Sequence, residues 1–377
     1  MPDLKENIEL DHDDEQTRSI LKSFSSSRII LPVLIGLVAM AFMLSFGFDR
    51  HALKAIQWNP HTLTWLVLAV IMLLIRDTAY VLRLYYLTGD KISLWRCVRL
   101  IIIWEFSSAV APTSIGGSAV AVVFLSNEKL GAPRTIATII YTVILDKFFF
   151  LIVVPLMILI FGPNVIQPGY TDFTSIGHIG FLLSVFYGIN LAYGLLFTYG
   201  LFFNPEQFKK ILVFFTRLPF LKRYKARAEK FGDEMVTSAN VIAQKDWRFH
   251  IRPVILTWIA WSARFIIVNF LIIGLIDHIS VHPWDQFKLF GREVIMFVFM
   301  MFSPTPGAAG FAEVFFGNFI GDYVPRSAAL VIALIWRFLT YYVYLIAGAL
   351  VIPSWLAGLI RQRLEERKEA KTQNDLN

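Results

Sequence analysis

"SPTPGAAGFAE" occupies residues 303–313, between "VIMFVFMMF" (294–302) and "VFFGNFIG" (314–321). Proline removes a helical hydrogen bond and clashes with the preceding turn, and glycine carries the largest backbone entropy cost. A carboxylate closes the stretch. The flanks nevertheless read as buried in hydrocarbon. Over the 377 residues, 56% are hydrophobic and 17% charged, and the mean hydropathy is +0.59. Ordinary soluble domains carry about 25% charge. Several apolar runs exceed the ~18 residues that mark a spanning helix. The composition predicts an all-α polytopic membrane protein, and the quoted stretch predicts a helix interrupted inside it.

Six runs read as full spans: 28–48, 62–87, 135–161, 178–203, 251–276 and 327–353. Two further apolar segments are broken, 98–125 at "APTSIGG" (111–117) and 287–320 at "SPTPGAAG" (303–310). Basic loops stay in the cytoplasm. Residues 204–250 carry ten Lys and Arg, and residues 162–177 carry none. Lys91 and Arg96 precede segment 98–125, and Lys129 and Arg134 follow it. That segment is therefore expected to enter from the cytoplasm and return, and 287–320 to do the same from outside. The resulting topology has six full spans plus two re-entrant helical hairpins, with both termini cytoplasmic. Eight full spans is the alternative. The polar stretch 1–27, with "ELDHDDE" at 9–15, lacks the basic start and small-residue cleavage site of a signal peptide and is expected to be a cytoplasmic tail. Residues 28–353 form the transmembrane domain, and 354–377, with "IRQRLEERKEAK" at 360–371, a basic cytoplasmic tail.

The two breakers lie over one another. "APTSIGGSAVAVVF" (111–124) matches "SPTPGAAGFAEVFF" (303–316), with Pro112 on Pro304, Thr113 on Thr305 and Phe124 on Phe316. Arg134 falls on Arg326 in the same register, while Arg99 reaches Arg292 only after a slip of one residue. Residues 62–161 and 251–353 thus read as two units of span, hairpin, span with opposite orientation, an inverted repeat. Such repeats with broken helices are a common construction of secondary transporters. Irregular backbone at membrane depth requires surrounding protein or a watery cavity. Helix N-termini there offer free N–H groups and partial positive charge, which suit a phosphate.

Charges recur inside the apolar runs: Arg76, Asp77 and Arg83 in the second span, Glu105 in the first hairpin, Asp146 and Lys147 in "IYTVILDKFFFLIV", Arg264 in "IAWSARFIIVNF", Glu313 after the second breaker and Arg337 in "ALIWRFLTYY". A central charge costs about 2.5–3.5 kcal/mol on insertion scales, so these groups should pair or line a polar cavity. Structural pairing would join Asp146 to Arg337 and Arg76 to Asp77, with Lys147 and Arg83 snorkelling. A functional cavity rich in arginine would suit an anionic head group through bidentate contacts. Loop 204–250 alternates apolar and basic residues, either as a solvated face or as an amphipathic helix pair on the anionic inner leaflet. Cys97 stands alone, which excludes an intrachain disulfide and a cysteine zinc site, and the seven histidines show no metal-ligand spacing. The net charge of +7 orients the chain in a membrane, and no nucleic-acid motif accompanies it.

"APTSIGGSAVAVVFLSNEKLGAPRTIATIIYTVILDKFFFL" (111–151) and "PTPGAAGFAE" (304–313) together resemble the flippase-like transmembrane domain of the lysylphosphatidylglycerol synthase family. The resemblance covers most of residues 25–355. It places Gly116 and Gly117 at a first turn, Asp146 and Lys147 as an acid–base pair, and Pro306, Gly307, Gly310 and Glu313 in a second signature. Ala308 stands where the family often has a second glycine. About 24 residues follow Pro353, so no soluble aminoacyl-transfer domain is expected. The resemblance implies a flippase for an anionic or modified phospholipid, without cofactor, in the bacterial inner membrane. A non-catalytic partner of a separate lipid-modifying enzyme and a membrane-embedded lipid transferase are the alternatives, although no P-loop or dinucleotide fingerprint is present. The candidate transport residues are Arg76, Asp77, Arg83, Glu105, Pro112, Thr113, Gly116, Gly117, Asp146, Lys147, Arg264, Pro304, Pro306, Gly307, Gly310, Glu313 and Arg337.

Overall fold

The structure is a computed structural model. It describes residues 58–358 except 112–120, 123, 129, 220, 277 and 356, and gives the backbone alone at 132, 306, 313, 326 and 327. The chain divides into two compact units, Met1–Gly47 and Phe48–Asn377, and every described residue lies in the second. The expected span 28–48 is outside the described residues, as are Pro112, Thr113, Gly116 and Gly117.

Among the described residues the regular structure is helical throughout. The helices are α1 (Pro60–Leu87), α2 (Leu94–Val110), α3 (Ala132–Phe161), α4 (Gly177–Thr198), α5 (Pro205–Phe215), α6 (Lys225–Ala243), α7 (Trp247–Leu275), α8 (Pro283–Met300), α9 (Phe311–Ile320) and α10 (Arg326–Arg337). Three of them start by one device. Asn59, Asn204 and His282 cap α1, α5 and α8 by accepting from backbone N–H groups two or three residues on, each followed by proline at the first helical position. The cap satisfies an orphan donor, and the proline has none to lose.

Five stretches are long and apolar enough to cross a membrane: Pro60–Leu87, Pro133–Val165, Gly177–Phe203, Trp247–Leu275 and Ala328–Trp355. They begin and end within a few residues of the expected runs. The chain is therefore a polytopic membrane protein. The outer face of α1 shows why. Leu63, Val67, Val70, Leu74 and Ile75 are exposed at helical spacing, while Ala69, Leu73, Arg76, Tyr80 and Arg83 are buried. An aliphatic stripe of that length suits lipid better than water.

Proline sits inside α3 at Pro155 and cannot donate to Leu151. The hydroxyl of Tyr187 on α4 donates to that carbonyl oxygen at 3.0 Å. In hydrocarbon a freed carbonyl has no water to turn to, so a neighbouring helix supplies the donor. Tyr187→Phe is expected to cost about 1 kcal/mol, the scale of interhelical hydrogen bonds in membranes. Reversible unfolding in bilayers or detergent would measure it.

Segment 287–320 breaks as the prolines and glycines require. α8 ends at Met300, a single 3-10 turn covers Pro306–Ala308 and α9 starts at Phe311. In the first broken segment α2 ends at Val110, and helix is present again at 121–122 and 124–126. Loop 204–250 folds as a helical hairpin. Phe208, Met235 and Ile242 pack with Ile136, Tyr141 and Ile144 of α3. Phe203, Phe214 and Phe215 stay exposed beside the basic positions Lys210, Arg217 and Lys222. The hairpin thus docks one apolar face on the bundle and presents a second one outward.

Candidate functional site

The broken segment 283–320, α2 and the spanning helices converge on one cavity of about 230 Å³. Its described charged walls are Arg83, Glu105, Asp146, Lys147, Arg264 and Arg337. Four cations against two carboxylates give a net charge of +2. The cations are held by named partners. Arg83 Nη1 donates to Asp146 Oδ1 at 2.6 Å and to Thr257 at 2.9 Å. Trp261 Nε1 donates to the same carboxylate oxygen at 3.0 Å. Lys147 Nζ donates to Asn190 Oδ1 at 2.7 Å and lies 5.6 Å from the Tyr193 ring. Lys147 therefore turns toward α4 rather than snorkelling to an interface. Arg264 lies over Phe297 at 5.0 Å, and Arg337 over Tyr341 at 4.0 Å. Aromatic faces hold guanidinium groups in place.

Asp146 was expected opposite Arg337. It pairs instead with Arg83, because α1 and α7 bring Arg83 and Thr257 to it. Arg337 Nη2 is turned toward the carbonyl oxygen of Gly307, at 2.8 Å. Both residues still face the same cavity. Arg76 and Asp77 are paired at 3.2 Å, but neither belongs to the described lining. Arg76 is fully buried, and its Nη2 lies 2.6 Å from Glu105 Oε2. None of its nitrogens makes a well-directed hydrogen bond, so charge rather than hydrogen-bond geometry holds this contact. Arg264 reaches the same Glu105 oxygen at 3.9 Å. Arg76 and Arg264 thus converge on Glu105. The side chains of Glu313 and Pro306 are outside the described set.

The turn itself is built from side-chain and main-chain bonds. Thr305 Oγ1 donates to Ala309 O at 2.8 Å and lies 2.9 Å from Ser303 Oγ. Gly307 has φ 55°, and a Cβ placed there would lie 2.0 Å from the Tyr341 ring. Gly310 has φ 83° with open space around it, and Pro304 is exposed. Ala308, which replaces the family's frequent glycine, has φ 56°. A Cβ in the left-handed region costs roughly 1–2 kcal/mol. Ala308→Gly is expected to raise stability by up to about 1 kcal/mol, since glycine's greater unfolded-state entropy offsets part of that gain. Thermal unfolding in detergent checks it. Across the cavity, Arg337 leads directly into a π-helical turn, Phe338–Tyr342. Such turns often mark functional positions, and this one sets Thr340 and Tyr341 into the wall.

The lysylphosphatidylglycerol synthase TM region matches residues 29–348. The chain belongs to that family. A UPF0104 membrane protein of Archaeoglobus fulgidus is 24% identical over 301 residues, covering 76% of this chain and 86% of that one. No solved structure gives a significant match. Of the residues that carried the family resemblance, Asp146, Lys147 and Gly307 meet at the cavity. The sequence reading missed the aromatic and sulfur walls, Trp104, Trp261, Phe297, Met301 and Trp336 among them. Apolar residues within apolar runs give no signal of their own. It also missed Asn190, which anchors Lys147 from a helix that has no Asp, Glu, Lys or Arg.

Proposed function

We propose that this member of the family moves a phospholipid with an anionic phosphate, plain or modified, between membrane leaflets by way of the cavity. The observation that carries the reading is the net-positive cavity at a helix break inside an apolar bundle. Its ~230 Å³ lies below the 300–1,000 Å³ of sites that enclose drug-sized ligands. A head group fits while acyl chains remain in the bilayer. Arg264 and Arg337 would take the phosphate oxygens, with α9's N-terminal N–H groups behind them. The family name supports a lipid substrate.

Segments 98–125 and 287–320 are re-entrant, the two halves form an inverted repeat, and both termini are cytoplasmic in the bacterial inner membrane. The hairpin at 204–250 rests on the anionic leaflet through Phe214, Phe215 and the neighbouring cations. In a Cys97→Ser background, single cysteines at 130 and 220 are expected to label only from the cytoplasm, and those at 170 and 280 only from outside. Labelling of 130 and 170 from one side refutes the re-entrant path of 98–125.

The activity is tested with the purified chain in unilamellar vesicles carrying labelled phosphatidylglycerol, lysylphosphatidylglycerol or a neutral glycolipid. An impermeant quencher should reach inner-leaflet label for the phosphate-bearing lipids only in vesicles that contain protein. Quenching confined to the outer leaflet for every lipid refutes the activity.

A further inference from the structure

Each broken segment carries one glutamate on its first helix, and the two have opposite surroundings. Glu105 on α2 meets Arg76 and Arg264. Glu293 on α8 is 1% exposed and takes part in no described ion pair, and its Oε1 has no hydrogen-bond partner. It stands about 15 Å along the helix from Pro283, at 1.5 Å rise per residue.

Helical spacing shows where it points. Gln286, Phe290, Glu293 and Phe297 form one stripe of α8 at i, i+4, i+7 and i+11. The other three members contact α7. Asn269 Nδ2 donates to Gln286 O and Oε1, both at 2.8 Å. Phe290 and Phe297 lie 5.8 and 5.7 Å from Phe265. Glu293 therefore faces α7 between aromatic rings, one turn from Phe297, which lines the cavity. In the same interface Asn269 Oδ1 also lacks a donor.

The charged groups on the elements packed against α8 are committed elsewhere. On α8 itself Arg292 donates to Asn164 Oδ1 at 2.7 Å and to Asp322, and Lys288 lies more than a turn toward the helix start. On α3, Asp146 belongs to Arg83 and Lys147 to Asn190. The α3 surface facing this level is apolar, since Met157 packs at Gly291 and Phe150 at Phe297. On α7, Arg264 belongs to Glu105, and Arg248, His250 and Arg252 lie turns beyond Trp261, which already meets Phe297. On α4 His178 is exposed, and the side chain of Glu313 on α9 is outside the described set. The turn 162–165 carries no titratable side chain.

A carboxylate buried without a counter-ion is too costly to keep, and such a group holds its proton. We propose that Glu293 is a proton-binding site that couples lipid movement to a pH gradient, an inference that rests on the transport reading above. The proton on Glu293 leaves to water on one side when the α7–α8 interface opens. It is replaced from the other side when the cavity, one turn away past Phe297, is hydrated. No other bond changes.

The test uses vesicles with a pH difference of one unit across the membrane and labelled phosphatidylglycerol as the probe. One proton per lipid supports a leaflet asymmetry of up to about tenfold per pH unit. Wild-type protein is expected to build an asymmetry that collapses when an ionophore removes the gradient. Glu293→Gln, a shape match for the protonated acid, should still equilibrate lipid but build none. Glu293→Asp should build some. Lipid movement in wild type with no response to the gradient overturns the coupling and leaves the transport reading standing. Equal asymmetry in Glu293→Gln overturns the assignment to this residue. Absence of lipid movement in wild type sinks both. Should Glu293→Gln not fold, a pH-sensitive dye trapped with the unaltered protein decides. Proton uptake that accompanies lipid is expected, and none overturns the proposal.

Discussion

Replacing Glu105 by glutamine is expected to cost the folded protein about 3–5 kcal/mol, the scale for breaking a buried ion pair from one side. Arg76 is fully buried and would keep only Asp77, 3.2 Å away. Asp77 is already shared, because Tyr344 donates its hydroxyl to Oδ2 at 2.6 Å. Arg264 would lose the same carboxylate. The cation–π contact of Arg76 with Tyr344, at 4.8 Å, is worth too little to compensate. Arg76→Met combined with Glu105→Leu removes both facing charges, and Asp77, 30% exposed, keeps the Tyr344 hydroxyl and access to water. The double variant is therefore expected to be more stable than Glu105→Gln alone, as read by steric trapping or thermal unfolding. A double variant that loses the sum of the two single losses would show that the pair is not a unit.

Straightening the turn should have the largest effect on activity. Alanine at Pro306 and Gly307 favours a continuous helix by about 4 kcal/mol, taking ~3 for proline and ~1 for glycine. It also opposes the turn directly. Gly307 sits at φ 55°, with the Tyr341 ring where a Cβ would go. Moving Tyr341 disturbs Arg337, which stacks on it at 4.0 Å and donates to Gly307 O. Even the 1–2 kcal/mol of the left-handed penalty alone is about a tenfold loss of the turn conformation. Pro306→Ala/Gly307→Ala is expected to insert and fold, yet to move lipid at least about tenfold more slowly. A folded double variant with unchanged lipid movement would reduce this turn to a helix kink.

These sites show what could be read in advance. "SPTPGAAG" announced its break because proline and glycine act locally, and α8 ends at Met300 just ahead of it. Five spans were legible for the same reason, since length and hydropathy need no partner. The charged residues could be named, and the neighbours Arg76 and Asp77 paired, but the distant partners could not. Arg83 and Asp146 are 63 positions apart, and Arg83 and Thr257 174 apart. Two guanidiniums converge on Glu105, because helix packing and not spacing sets which carboxylate meets them. Arg292 entered only as the register neighbour of Arg99, and Glu293 was passed over. Yet a charge pair inside "FGREVIMFVFMMF" (290–302) is itself a signal in an apolar run. Its meaning lay in what is absent around it, which only the packed structure supplies.

If lipid passes by way of the cavity, a plug placed there must stop it. Ser108 lines the cavity on α2, and Leu159 on α3 is 83% exposed. Each is replaced by cysteine in a Cys97→Ser background, reacted with a bulky thiol reagent and reconstituted in vesicles with labelled phosphatidylglycerol. Modification of Ser108→Cys is expected to stop lipid movement, while modification of Leu159→Cys leaves it unchanged. Full movement through the modified Ser108→Cys protein would contradict it.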